Sequence, residues 1–294
     1  MQNPVAAFAF VALGLFLSGA AAAQTRPSPD ILVLGDSQLS FGAGKAFVDI
    51  LDDLKGDCGL PADTTVGVIG VRSSSLQSWT SRGRAAKSAI CDVDPKWKVN
   101  AGAYGLLSPG KTPYVQIGQG DRFQFCHKDR SPLQAVFHDG YYQPKLLIMF
   151  LMGNATQRWA ASAEAALKDA RAFVADLPAG QPCIFMTSAP TYGEKSVRLR
   201  QQAQAHIEAA FTKTAGHCSF VAGLTPETIR ENLGNPANFR RTASGKVKDP
   251  LHPTEAAAHR FMALQRNALC HALTTQLAQP NQPPARGITS LRRN

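Results

Sequence analysis

The chain predicts a three-layer α/β/α sandwich around a central parallel sheet of about five strands. Three observations carry this. Short, continuously apolar runs alternate with longer segments of helical periodicity, the pattern of strands covered on both faces. Right-handed crossovers between such strands stack helices on either side. Polar loops rich in Gly, Ser and Asn follow the apolar runs at their carboxyl ends, the edge where sheets of this kind bind ligands.

Taken in order, "DILVLGD" (30–36) reads as the first strand. "SFGAGKAFVDILDDLKG" (40–56) follows as a helix, with Phe47, Ile50, Leu51 and Leu54 on one face. "TTVGVIGV" (64–71) is a second strand and "PKLLIMFLMGN" (144–154) a strongly apolar third. "TQRWAASAEAALKDARAFVADLP" (156–178) reads as a single Ala-rich helix, with Leu167, Ala170, Phe173, Val174 and Leu177 on its apolar face. "PCIFMTSAP" (182–190) and "HCSFVAG" (217–223) are the fourth and fifth strands, separated by a helix over 194–216. A long helix over 252–278 closes the domain, and Thr254 can cap its start. Residues 80–140 break the rhythm. They read as an insertion of short β-pieces and turns between strands two and three, placed to serve as a lid or substrate wall.

The ends differ from this body. Residues 1–23 contain the apolar run "VAAFAFVALGLFLSGAAAAQ", and Ala21-Ala22-Ala23 before Gln24 fits a signal-peptide cleavage site. "MQN" carries no Lys or Arg, and an uncleaved anchor is the alternative, because the run is almost long enough to span a bilayer. The small-residue second half favours cleavage, with no stable membrane insertion afterwards. Residues 24–29 read as a Pro-rich linker, 30–278 as the domain, and 279–294 as a disordered tail.

All six Cys follow the apolar leader. An even count in an exported chain reads as a disulfide framework, placing the protein in the periplasm or outside the cell. The predicted topology suggests Cys58–Cys270, Cys91–Cys126 and Cys183–Cys218. No Cys/His spacing suits a metal. The formal charge of +10 lies wholly in the mature chain. It favours anionic partners such as cell-wall polymers or acidic glycans, or serves solubility alone. Export argues against nucleic acid.

One stretch demands a chemical explanation. "ILVLGDSQ" runs a buried strand straight into Gly35-Asp36-Ser37. A serine there is a turn residue or a nucleophile, and a nucleophile needs a base and a group that orients the base. "KDPLHPTE" places Asp249 three residues before His252, and Pro253 keeps His252 out of helical geometry, on the same rim. Asp-x-x-His alone is more often a surface turn. Joined to Gly-Asp-Ser, it favours catalysis.

With "GDSQ" after strand one, an Asn after strand three and "DPLHPT" before the last helix, the chain resembles the SGNH/GDSL hydrolase family over about residues 30–277. The resemblance implies a flavodoxin-like fold and an esterase, lipase, thioesterase, carbohydrate acetylesterase or acyltransferase activity. It implies Ser37 as nucleophile, His252 as base and Asp249 as its orienter. Ser37, Ser73 and Asn154 would form the oxyanion hole, with Gly70 as the alternative to Ser73. Three positions depart from the family pattern. Gln38 stands where Leu is usual, which reads as chemically neutral. "MGNA" replaces Gly-x-Asn-Asp around Asn154. Ser73 stands where a Gly is usual.

The expected activity is that of an exported serine esterase removing a small acyl group, acetyl foremost, from an ester-bearing small molecule or a cell-envelope glycan, with no cofactor. An acyltransferase with the same triad and a catalytically silent binding protein are the alternatives. Substrate-binding residues are not evident from the sequence. Trp79 and Trp159 could stack on a sugar, though packing is the commoner use. Arg72 could grip an anion or be merely solvated. His127, His138, His206, His217, His259 and His271 read as structural or surface residues.

Overall fold

The computed structural model describes residues 28–82, 103–108, 115–117, 129–138, 142–214, 217–232 and 234–278. The expected signal peptide, the tail and the Cys91–Cys126 pair lie outside the described residues.

Five strands run parallel: β1 (Ile31–Gly35), β2 (Val66–Val71), β5 (Leu146–Phe150), β6 (Cys183–Met186) and β7 (Cys218–Val221). The sheet order is β4-β3-β2-β1-β5-β6-β7. The parallel strands thus follow the flavodoxin order, second-first-third-fourth-fifth, with a switch point between β1 and β5. The segment read as an insertion extends the sheet. Its strand β3 (Ala103–Ser108) pairs antiparallel with β2, and β4 (Val115–Ile117) pairs antiparallel with β3, giving a seven-stranded sheet among the described residues. Its helix α3 (Pro132–His138) buries Leu133, Ala135, Val136 and Phe137 in the main core.

Alternation along each strand separates two cores. Ile31 and Val33 of β1 and Ile148 and Phe150 of β5 face α1 (Gly44–Asp53) and α8 (Glu255–Leu277). Leu32 and Leu34, with Leu147 and Met149, face the opposite layer. There lie α2 (Leu76–Thr80), α4 (Thr156–Ala161), α5 (Ala163–Asp176) and α6 (Glu194–Thr212). A short α7 (Pro226–Asn232), not expected from the sequence, precedes the loop that leads to α8.

The single helix expected over 156–178 is two. Ser162 adopts an extended conformation (φ −151°, ψ 113°), and its hydroxyl accepts the Ala165 N–H to start α5 afresh. A serine that satisfies an orphan N–H competes with helix continuation, which hydrophobic spacing alone does not register. The expected apolar faces of α1 and α5 do point inward: Phe47, Leu51, Leu54, Ala170 and Phe173 are fully buried. Trp79 and Trp159 are also fully buried, so they pack and are not open to a sugar. Two expected disulfides are present, Cys58–Cys270 and Cys183–Cys218.

Candidate active site

The site is built where β1, β2 and β5 end. The chain leaves Gly35, buries Asp36 and turns across the sheet end. An irregular turn over Leu39–Ala43 then leads into α1. This crossing is tight. A Cβ on Gly70 would stand 2.8 Å from Leu39 Cβ, and one on Gly42 would stand 2.9 Å from Glu255 Cα. Gly42 also has φ 131°, a conformation that side chains disfavour. The lack of a side chain at Gly42 therefore lets the first turn of α8 dock on the turn that follows Ser37, bringing opposite ends of the domain together.

At that junction, His252 Nε2 lies 2.8 Å from Ser37 Oγ. His252 Nδ1 lies 3.0 and 2.9 Å from the two carboxylate oxygens of Asp249. A carboxylate only accepts hydrogen bonds, so Nδ1 carries the proton and Nε2 is free to accept from the serine hydroxyl. The Asp249 loop is internally tied. The Leu251 and His252 N–H groups donate to Asp249 Oδ1 at 3.1 and 3.2 Å. Arg240 Nη2 donates to Oδ2 at 2.6 Å. Partial burial pushes the Asp249 carboxyl pKa up, but the hydrogen bonds from Arg240, His252 and Leu251 outweigh it and hold it at about 2.

Four further side chains complete the frame, of which Phe41 and Arg240 were not singled out from the sequence. Gln38, the departure read as neutral, donates from Nε2 to the Leu251 carbonyl at 3.1 Å, joining the Ser37 turn to the residue before His252. Phe41 lies 4.4 Å from the His252 ring, centroid to centroid. The guanidinium carbons of Arg72 and Arg240 sit 4.3 and 4.9 Å from the Phe41 ring centre. These contacts come from loops distant in sequence and leave no local pattern to read.

Two ionisable side chains are buried near the serine. Asp36 is 1% exposed and Arg200, on α6, is 3% exposed. Burial raises the Asp36 pKa, opposed by backbone hydrogen bonds from Gln38 and Met152 and by the charges of Arg200 and His252. Burial pulls Arg200 down to about 10, with the charge of Asp36 opposing. Arg200 donates to Ser188 Oγ at 2.6 Å and to the Ala189 carbonyl at 3.1 Å, which anchors it beyond β6.

The expected oxyanion residues lie on the neighbouring loops. Asn154 is exposed in a short turn after β5, and its Nδ2 donates to the Ser74 carbonyl at 2.7 Å. Ser74 Oγ in turn donates to the Gly35 carbonyl at 3.3 Å, linking the ends of three strands. Ser73 is exposed with φ 61°, the left-handed region in which glycine is preferred. Gly70 is held inside β2, paired with Gly35 and Tyr104. Among the described residues, neither Asn154 nor Ser73 hydrogen-bonds to Ser37 or His252. His206 and His259 are structural, bonded to the Trp159 carbonyl at 2.6 Å and to Asp49 at 2.7 Å. His217 and His271 are exposed. His127 lies outside the described residues.

No protein-family model and no curated protein matches the chain. Solved structures overlap it loosely. A DUF4886 family protein from Bacteroides uniformis shares 10% identity, covering 90% of this chain and 90% of its own, at a TM-score of 0.48. A family 3 carbohydrate esterase from Clostridium thermocellum shares 12% identity over 84% of this chain and 100% of its own, at 0.39. A peptidoglycan O-acetylesterase shares 12% over 84% and 92%, at 0.42. Overlaps this loose carry no weight for chemistry, which rests on the contacts around Ser37.

Proposed function

We propose that the protein is an exported serine esterase that removes small acyl groups through an acyl-enzyme on Ser37. The observation that supports this most directly is the continuous chain of contacts from Ser37 Oγ through His252 to Asp249, at 2.8 and 2.9 Å. In this reading, Ser37 Oγ attacks the ester carbonyl while His252 Nε2 takes its proton. Asp249, ionised because its pKa is so low, stabilises the imidazolium that forms. His252 then protonates the departing alcohol, and water attacks the acyl-enzyme.

The negative oxygen of the tetrahedral intermediate is assigned to the N–H groups of Ser37 and Ser73 and the side-chain amide of Asn154. One Asn154 amide hydrogen is used on Ser74, which fixes the plane of the group and leaves the other free to donate. Losing one such donor costs about 3 kcal/mol of transition-state stabilisation. Ser73 is preferred over Gly70 because it lies on the loop rather than within the sheet. Export is supported by the two disulfides, which persist in oxidising compartments. A cell-envelope glycan is the proposed acyl bearer.

A panel of p-nitrophenyl esters from acetyl to palmitoyl tests this. The wild type is expected to hydrolyse acetyl and not palmitoyl, and Ser37→Ala to fall to background. Equal rates for wild type and Ser37→Ala would place the turnover elsewhere.

A further inference from the structure

We infer that the substrate ester carries an anionic group, a carboxylate or chemically similar oxyanion, and that Arg72 binds it beside Ser37 and so sets specificity. This rests on the serine esterase reading above.

Arg72 follows β2 at the rim of the site. Its guanidinium lies on the Phe41 ring, and the same ring touches the His252 imidazole. A guanidinium held against a ring keeps N–H donors for hydrogen bonds to a carboxylate. Arg72 is half-buried, has no ion pair among the described residues, and its Nε is buried without a hydrogen-bond partner.

The second arginine on Phe41 is not equivalent. Arg240 is already paired with Asp249. The carboxylates nearby are similarly occupied: Asp249 faces Arg240 and His252, and Asp36 is buried beneath the turn. The loop that carries Arg240 and Asp249 also exposes Arg241, Lys246 and Lys248. The approach to Ser37 is therefore positive, which concentrates anions there.

The test uses the full chain and two matched pairs of esters, each differing by one carboxylate. On the acyl side, mono-(4-nitrophenyl) adipate is compared with 4-nitrophenyl hexanoate. On the alcohol side, 4-acetoxybenzoate is compared with its methyl ester. The wild type is expected to prefer the anionic member of one pair by about tenfold or more in kcat/KM, chiefly through KM. The preferred pair identifies which side of the ester bears the anion. Arg72→Gln is expected to collapse that preference, Arg72→Lys to retain part of it, and added salt to weaken it. Ser37-dependent hydrolysis with no preference in either pair overturns the inference and leaves the esterase reading standing. Equal slowing of both members in Arg72→Gln also overturns it, because Arg72 would then serve only to hold Phe41. Hydrolysis of no ester at all removes the esterase reading and this inference together.

Discussion

Asp249 shows how a few hydrogen bonds decide a side chain's chemistry. Its folded pKa of about 2 lies below the ordinary 3.8. A depressed carboxyl contributes stability that is fully present above the unfolded value and is lost as pH falls through the folded one. Urea midpoints for wild type and Asp249→Asn are thus expected to differ above pH 4 and to converge as pH falls through about 2. In Arg240→Met, which lacks one donor, the acid loss should be smaller and complete at higher pH. Gln38 permits a separate test. Gln38→Leu removes its bond to the Leu251 carbonyl, a contribution of about 0.5–1.5 kcal/mol, and should lower kcat several-fold with little change in the fold. Ser37, Asp249 and His252 were legible in the sequence because Gly-Asp-Ser and Asp-x-x-His-Pro are local patterns with local chemical reasons. Gln38, Phe41, Arg72 and Arg240 act through contacts that loops make across space. Gln38 even read as neutral, since its partner is a backbone carbonyl 213 positions away.

At the scale of elements, apolar runs located all five parallel strands, because continuous burial on both faces leaves a residue pattern that little else produces. The helices were less fully legible. The break at Ser162 depends on one hydroxyl finding one N–H, and β3 and β4 lie in a segment without a strong period. The docking of α8 on the Ser37 turn depends on Gly42. Gly42→Ala would strain a left-handed position and press a methyl on Glu255, at a cost of about 1–3 kcal/mol. Its melting temperature should drop, and kcat should fall with it, because the same docking brings His252 to Ser37. If kcat and melting temperature of Gly42→Ala match wild type, this junction is not tight. Arg200 joins α6 to the segment that follows β6. Arg200→Met removes its bonds to Ser188 Oγ and the Ala189 carbonyl, and denaturant unfolding should show a loss of stability.

Across the whole molecule, α1 and α8 lie side by side on one face, one starting after the Ser37 turn and the other after the loop of Asp249 and His252. Cys58 and Cys270 join them away from the site, closing a separation of 212 residues. Cys270→Ser should cost about 2–5 kcal/mol in unfolding experiments. The separation of 215 residues between Ser37 and His252 has a further consequence. A ribosome makes the hydroxyl long before it makes the imidazole. On the serine esterase proposal, a growing polypeptide carries an inert alcohol until the final helix emerges and packs, and reactivity appears only as folding finishes. Anything that delays that last docking postpones the chemistry without altering a single reacting atom.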